Sequence, residues 1–182
     1  MPQLVAVERA ADVLSHYRGT SLEAFLRYHN LGEPLPATAG RADLVVGMCM
    51  DHRKDLTIPN EFAFVIRAAG GNLRGRDFDV SYAVGVGGAS ALALLTHTDC
   101  GMAHLAEKRG AFVRGLVERA GWDEASAAAH FDECVGRYQI GDAVAFAVAE
   151  AGRLRRRYPR LLVAPFLYRV EDDRLVQIAE DD

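Results

Sequence analysis

Leu44-Val45-Val46-Gly47-Met48-Cys49-Met50-Asp51-His52-Arg53 is the stretch on which the reading of this chain turns. Its first five residues form an uninterrupted apolar run, short enough and rich enough in valine to be a strand covered on both faces. A thiol, a carboxylate, an imidazole and a guanidinium follow directly, where such a strand would end. The arrangement recurs later: Leu92-Ala93-Leu94-Leu95 is followed by His97-Thr98-Asp99-Cys100-Gly101. Cys49, His97 and Cys100 together offer two sulfurs and one nitrogen. That donor set can hold one zinc ion with a coordination position left over, the feature that separates catalytic from structural zinc.

Outward from these two stretches, the chain alternates. Val5 to Tyr17 and Ser21 to His29 read as amphipathic helices, the second opened by Thr20 with Glu23 three positions later in a capping-box arrangement. Gly32, Pro34 and Pro36 stop it. Strands are expected over Asp43 to Met48, Phe62 to Arg67 and Ala91 to Thr96. A helix between the last two begins at a capping Asp77 or Asp79 and frays at Gly85, Gly87 and Gly88. Helical patterns then cover Met102 to Lys108, Ala111 to Ala120, Glu124 to Val135 and Asp142 to Tyr158, the last capped by Asp142 and stopped by Pro159. Two closing strands, Leu161 to Val170 and Arg174 to Ala179, turn at Asp172-Asp173. This order predicts an α/β fold: a mostly parallel central sheet flanked by helices, with an N-terminal helical arm and a C-terminal strand pair.

The 182 residues, half of them hydrophobic, suffice for one domain with a sizeable core. Residues 1–40 are expected to form the arm and 41–182 the zinc-binding core. Twenty-one Lys and Arg against 25 Asp and Glu give a net charge of −4, so the bulk charge attracts neither nucleic acid nor an anionic membrane. A small-molecule substrate is expected instead. Leu4 to Leu14 contains Glu8, Arg9 and Asp12, which argues against an apolar signal segment or a spanning helix and for a cytoplasmic protein. A reducing compartment would keep the three cysteines as thiols, and Cys134, outside the metal spacing, is expected in the core.

The C-x-D-x-R element ending in Arg53 and the H-x-x-C-G element starting at His97 resemble the zinc site of the β-class carbonic anhydrases, in particular their short bacterial and archaeal-type members. Val65-Ile66-Arg67-Ala68-Ala69-Gly70-Gly71 is similar to the family's arginine and glycine-rich stretch, and the likeness runs from about Ala42 to Leu105. The resemblance implies zinc held by Cys49, His97 and Cys100 and reversible hydration of carbon dioxide to bicarbonate by a zinc-bound hydroxide. It implies that the Cys49 strand lies between the Phe62 and Ala91 strands, so that both motifs meet beyond the carboxyl ends of the sheet at a switch point. It assigns Asp51 and Arg53 as a gate. Paired with Arg53, Asp51 orients the hydroxide; released, it swings onto zinc as a fourth ligand. The likeness also implies a homodimer or dimer of dimers, with the N-terminal helices as candidate arms.

Each assignment has a plainer rival. The three ligands can be two buried thiols and a surface histidine, and Asp51 with Arg53 an ordinary turn salt bridge. Asp99 either accepts a hydrogen bond from the site or, as is favoured, caps the helix that follows. His52, where the family usually has a small residue, is either a proton relay or exposed without a role; His104 poses the same choice. Ala68 stands where the family often has asparagine. Phe62, Phe64 and Tyr82 either line an apolar pocket or simply pack. Arg153, Arg155, Arg156, Arg157 and Arg160 complement a helix dipole and do not read as a nucleic-acid site. Three functions remain open: hydration of carbon dioxide, hydrolysis of carbonyl sulfide or carbon disulfide on the same site, and a non-catalytic zinc protein with Asp51 closing the fourth position.

Overall fold

The computed structural model describes residues 2–35, 42–53, 56–58 and 61–180. The expected stop at Pro36 and the boundary at 40–41 lie outside them. The elements in chain order are β1 (Gln3–Ala6), α1 (Ser21–Leu31), β2 (Leu44–Cys49), β3 (Ala63–Ala68), α2 (Asp77–Gly85), β4 (Ala91–His97), α3 (Arg109–Ala120), α4 (Glu124–Tyr138), α5 (Ala143–Arg157), β5 (Leu162–Arg169) and β6 (Arg174–Ala179). They build a six-stranded sheet in the order β1-β6-β5-β4-β2-β3. The four strands from β3 to β5 run parallel, while β6 and then β1 add antiparallel at the far edge.

The apolar runs of β2 and β4 are buried along their whole length because the sheet is covered on both faces. Leu44, Val46 and Met48 point to one side, packed with Leu22, Phe25 and Leu26 of α1 and with Tyr17. Val45, Leu92 and Leu94 point to the other, against Val80 and Ala83 of α2 and Ala151 and Leu154 of α5. The two-residue alternation of a strand thus feeds two separate cores. Gly47 permits a close approach on the α2 side: a Cβ there would lie 2.7 Å from Leu73 Cδ1.

The first helix expected from the sequence does not form. Gln3–Ala6 pairs with β6 in register Gln3↔Ala179 to Ala6↔Val176, and Ala10–Asp12 and Ser15–Tyr17 are single 3-10 turns. The cause is distant in sequence. Buried Gln177 accepts from the Leu14 amide at 2.9 Å and donates to the Asp12 carbonyl at 3.0 Å, taking backbone groups that a helix would pair internally. The second helix forms as α1, with Thr20 accepting from the Leu22 amide, but Glu23 reaches the Gly19 amide and so completes no box with Thr20. Of the arm expected over residues 1–40, the described residues form an edge strand, two turns and one helix that packs on its own sheet.

Residues 102–108 also depart from expectation. They form turns and a short 3-10 helix (Leu105–Lys108), because the Met102 carbonyl takes the Ile140 amide and the Ala106 amide donates to Gln139 Oε1. Asp77 and Asp79 fall inside the first turn of α2, whose cap position is Arg76, while Asp123 and Asp142 cap α4 and α5 through their side chains. Among the described residues no helix is long and apolar enough to cross a membrane.

Candidate metal centre

β2 sits between β3 and β4; the connection leaving β2 leads to β3 on one side and the connection leaving β4 leads to β5 on the other, so a crevice opens between them beyond the carboxyl ends of the strands. Cys49 ends β2 and His97 ends β4, with Cys100 in the turn three residues on. All three residues are buried, and their Sγ atoms and a ring nitrogen of His97 lie within 4.8 Å of one another. Tetrahedral zinc with Zn–S near 2.3 Å holds its sulfurs about 3.8 Å apart, so the donors need close by no more than about 1 Å.

The hydrogen bonds around the imidazole decide its tautomer. His97 Nδ1 lies 2.8 Å from the Thr98 carbonyl oxygen, which can only accept, so Nδ1 carries the proton and Nε2 keeps its lone pair. Nε2 is buried and has no hydrogen-bond partner among the described residues. A buried acceptor without a donor is costly, and a cation shared with two adjacent thiolates satisfies it. On the thiol side, the Gly70 amide donates to Cys49 Sγ at 3.2 Å, a contact that favours the thiolate. The residues present fit a metal ion.

Asp51 sits at the rim. Its Oδ2 is 3.9 Å from His97 Nε2, and it is held by Arg53 through three donors: the backbone amide to Oδ1 at 2.9 Å, Nε to Oδ1 at 3.1 Å and Nη2 to Oδ2 at 2.8 Å. The pair expected from the sequence is formed, in the two-point geometry that suits carboxylate and guanidinium. Arg53 is also bound on its other side, from Nη1 to Asp99 Oδ2 at 2.6 Å and from Nη2 to the Asp99 carbonyl at 2.9 Å. Both carboxylates raise the Arg53 pKa, Asp51 more than Asp99, and Arg53 in turn holds the Asp99 carboxyl below its ordinary value.

Asp99 thus caps no helix, contrary to the favoured expectation. Arg67 reaches the same turn, 3.5 Å from the Asp51 carbonyl, and Ala68 ends β3 beside it. His52 and His104 are both exposed, His104 with Glu107 Oε1 at 3.7 Å. Phe62 is buried in the α1-side core, whereas Phe64 and Tyr82 line an open groove of about 410 Å³ between β3 and α2, so the three aromatics share no pocket. Cys134 is half-buried rather than a core thiol, with Sγ 3.9 Å from His130 Nδ1. Of the arginines near the end of α5, two are turned inward: Arg153 binds Glu150 and Asp77, and Arg155 binds Glu180 and the Val163 carbonyl, while Arg156, Arg157 and Arg160 are exposed. The Gly70 amide and the Thr98 carbonyl had no assigned part in the sequence reading, although a glycine pair directly after a strand was a visible sign of close backbone approach.

No family model matches this sequence, and no curated protein matches it. Solved structures do. The chain is similar to a carbonic anhydrase from Glaciozyma antarctica (23% identity, TM-score 0.59, covering 91% of this chain and 100% of that one). It is also similar to β-carbonic anhydrase isoform I from Trichomonas vaginalis (14% identity, TM-score 0.65, 84% and 91% covered). A third likeness is to a carbon disulfide hydrolase in its apo form (22% identity, TM-score 0.52, 85% and 84% covered). The expected architecture is therefore present: this chain has the β-carbonic anhydrase fold, and Cys49, His97 and Cys100 form a set that can hold a metal ion.

Proposed function

We propose that this chain is a zinc-dependent carbonic anhydrase of the β class, converting carbon dioxide and water into bicarbonate and a proton. One observation carries the reading: the unpartnered Nε2 of His97, buried beside two cysteine thiols, with Asp51 drawn to Arg53 at the rim. Cys49, His97 and Cys100 would hold the ion, and zinc bound there supplies the Lewis acidity that makes water a nucleophile near neutral pH. The protein's own groups do the rest. The Gly70 amide draws charge from the Cys49 sulfur, and the Thr98 carbonyl keeps His97 in the tautomer that ligates through Nε2. Asp51, fixed by Arg53, presents a carboxylate that accepts a hydrogen bond from the attacking water and so orients its lone pair towards carbon. A carbon–oxygen bond forms, and the proton lost from water passes to solvent.

The two-point Asp51–Arg53 pair supports an open fourth position over permanent closure by Asp51. The same fold in a carbon disulfide hydrolase makes carbonyl sulfide and carbon disulfide the substrates to test alongside. Stopped-flow hydration on zinc-loaded, chelator-stripped and reloaded protein tests the proposal. One zinc per chain is expected, with hydration lost on stripping and restored on reloading. Arg53→Ala should lose most turnover while retaining zinc. Zinc-loaded protein that leaves carbon dioxide untouched overturns the reading, and turnover of either sulfur compound instead transfers the site to that chemistry.

The reading includes a second copy of this chain as partner. The apolar side of α1 is spent on its own sheet, which leaves it poorly suited as an embracing arm. Among the described residues no strand pairs beyond β3, and that edge with the adjoining face of α2 instead carries Val65, Phe78, Tyr82 and Val86, exposed at 48–79%. An unpaired strand edge beside exposed apolar side chains is self-complementary about a two-fold axis. A cytoplasmic location accords with three cysteines that form no disulfide.

A further inference from the structure

Arg53 bridges two loops. One follows Cys49 at the end of β2 and carries Asp51; the other follows His97 at the end of β4 and carries Asp99 and Cys100. Of the five guanidinium hydrogens, four are used: one on Nε and one on Nη2 to Asp51, one on Nη1 and one on Nη2 to Asp99. The planar fork therefore cannot turn towards either loop without losing contacts to the other. Asp99 holds the left-handed backbone conformation, with φ at 51°, which aspartate and asparagine tolerate better than other residues with a Cβ. That conformation turns its carbonyl and its carboxylate together onto Arg53. Asp99 lies between two metal-ligating positions yet contributes its carboxylate to the arginine, 46 residues away in sequence.

We propose that Asp99 is a positioning residue that anchors Arg53 from the far side and thereby holds Asp51 away from the fourth metal position. The inference rests on the reading that Cys49, His97 and Cys100 hold a metal. Without the anchor, a guanidinium on a long side chain that is 37% exposed wanders into solvent. Asp51, whose Oδ2 already stands 3.9 Å from His97 Nε2, is then restrained less and closes onto the ion. Because the anchor lies between two of the three ligands, His97 and Cys100, seating the metal and restraining Asp51 become one event. The gate is a three-residue device, Asp51–Arg53–Asp99.

The test uses the full chain loaded with cobalt(II) and titrated with azide, a small anion that enters only an open coordination position. A sulfur-to-cobalt absorption band in the parent establishes ligation by the cysteines, and the visible cobalt bands report azide binding. Asp99→Asn keeps the backbone preference and the side-chain size but removes the charge. It is expected to weaken azide binding about fivefold, the upper end for an exposed ion pair, with the effect shrinking in high salt. Simple loss of a negative charge near the site would strengthen the binding of an anion, so the sign separates the two causes. In an Asp51→Ala background, Asp99→Asn should produce no weakening, since the residue it restrains is gone. Undiminished azide binding by Asp99→Asn overturns the inference, as does weakening that persists without Asp51. A parent that shows no sulfur-to-cobalt band overturns the metal reading itself, and this inference with it.

Discussion

The backbone amide of Gly70 donates to Cys49 Sγ across 3.2 Å, and Gly70 reaches that position with φ at +68°. Beyond it, a Cβ would stand 2.7 Å from Ile140 Cγ2 and 3.2 Å from Met102 Cβ. The Cys49 sulfur, a left-handed glycine and the packing of the linker before α5 are thereby tied to one another.

Gly70→Ala should consequently displace the donor and strain the backbone. Loss of a hydrogen bond to a ligand costs about 10–100-fold in metal affinity, and a residue forced into this conformation costs about 1–3 kcal/mol of stability. Competition with a chromogenic chelator and urea unfolding measure the two effects; unchanged zinc affinity would show that the Gly70 amide does not tune the sulfur.

Glu150 is fully buried on α5, and Arg153 meets it with Nε at 2.9 Å and Nη2 at 2.8 Å while its Nη1 reaches Asp77 at 2.9 Å. Arg153→Leu leaves the buried carboxylate with only the longer contact from Arg74 Nε, at 3.4 Å, and should cost about 3 kcal/mol, the lower end for breaking a buried pair. Glu150→Leu with Arg153→Leu should cost less than Arg153→Leu alone, because no buried carboxylate is left short of partners: Arg74 is half exposed and Asp77 keeps Arg157 at 3.6 Å. Denaturant midpoints of the two single variants and the double variant decide this, and additive costs would count against it.

Tyr17 is packed against Phe166 at 2% exposure, and burial pushes its phenol up to about 12, with Arg155 opposing. The folded pKa lies above the unfolded value near 10, so the stabilisation is complete below pH ~10 and is lost as pH rises towards ~12. The total is of order 2–3 kcal/mol. Tyr17→Phe should lack this decline, so urea midpoints of parent and variant should converge or cross between pH 9 and 12; parallel curves would contradict it.

Phe78, 79% exposed on α2, is the most exposed large apolar side chain on the β3 edge of the molecule. Phe78→Glu should turn a sedimenting dimer into a monomer without lowering the thermal midpoint extrapolated to low protein concentration. A monomeric parent, or a dimer indifferent to the substitution, removes this face as the interface.

Much of the site was legible before folding. Of the three candidate ligands, Cys49 and His97 end the segments now seen as β2 and β4 and Cys100 stands three residues beyond His97, and a parallel strand buried on both faces must be written as an apolar run. The Asp51–Arg53 pair was legible for a related reason: its partners are two residues apart in one turn. The part played by Asp99 was not. Its partner comes from another loop, and a turn aspartate ahead of a helical pattern reads locally as a cap.

The amino-acid sequence by itself determined which segments enter the sheet's centre, where they end, and which sulfur and nitrogen atoms stand at those ends, since these follow from local pattern. The tertiary structure alone decided what residues 3–17 and 102–108 become, which carboxylate anchors Arg53, and that the Phe62 ring faces one core while Phe64 and Tyr82 face a groove. In the first three cases backbone or side-chain groups are claimed by Gln177, Gln139 or Arg53, 33 to 165 residues away. Local propensity cannot register competition for a hydrogen bond whose other half arrives only when the sheet closes.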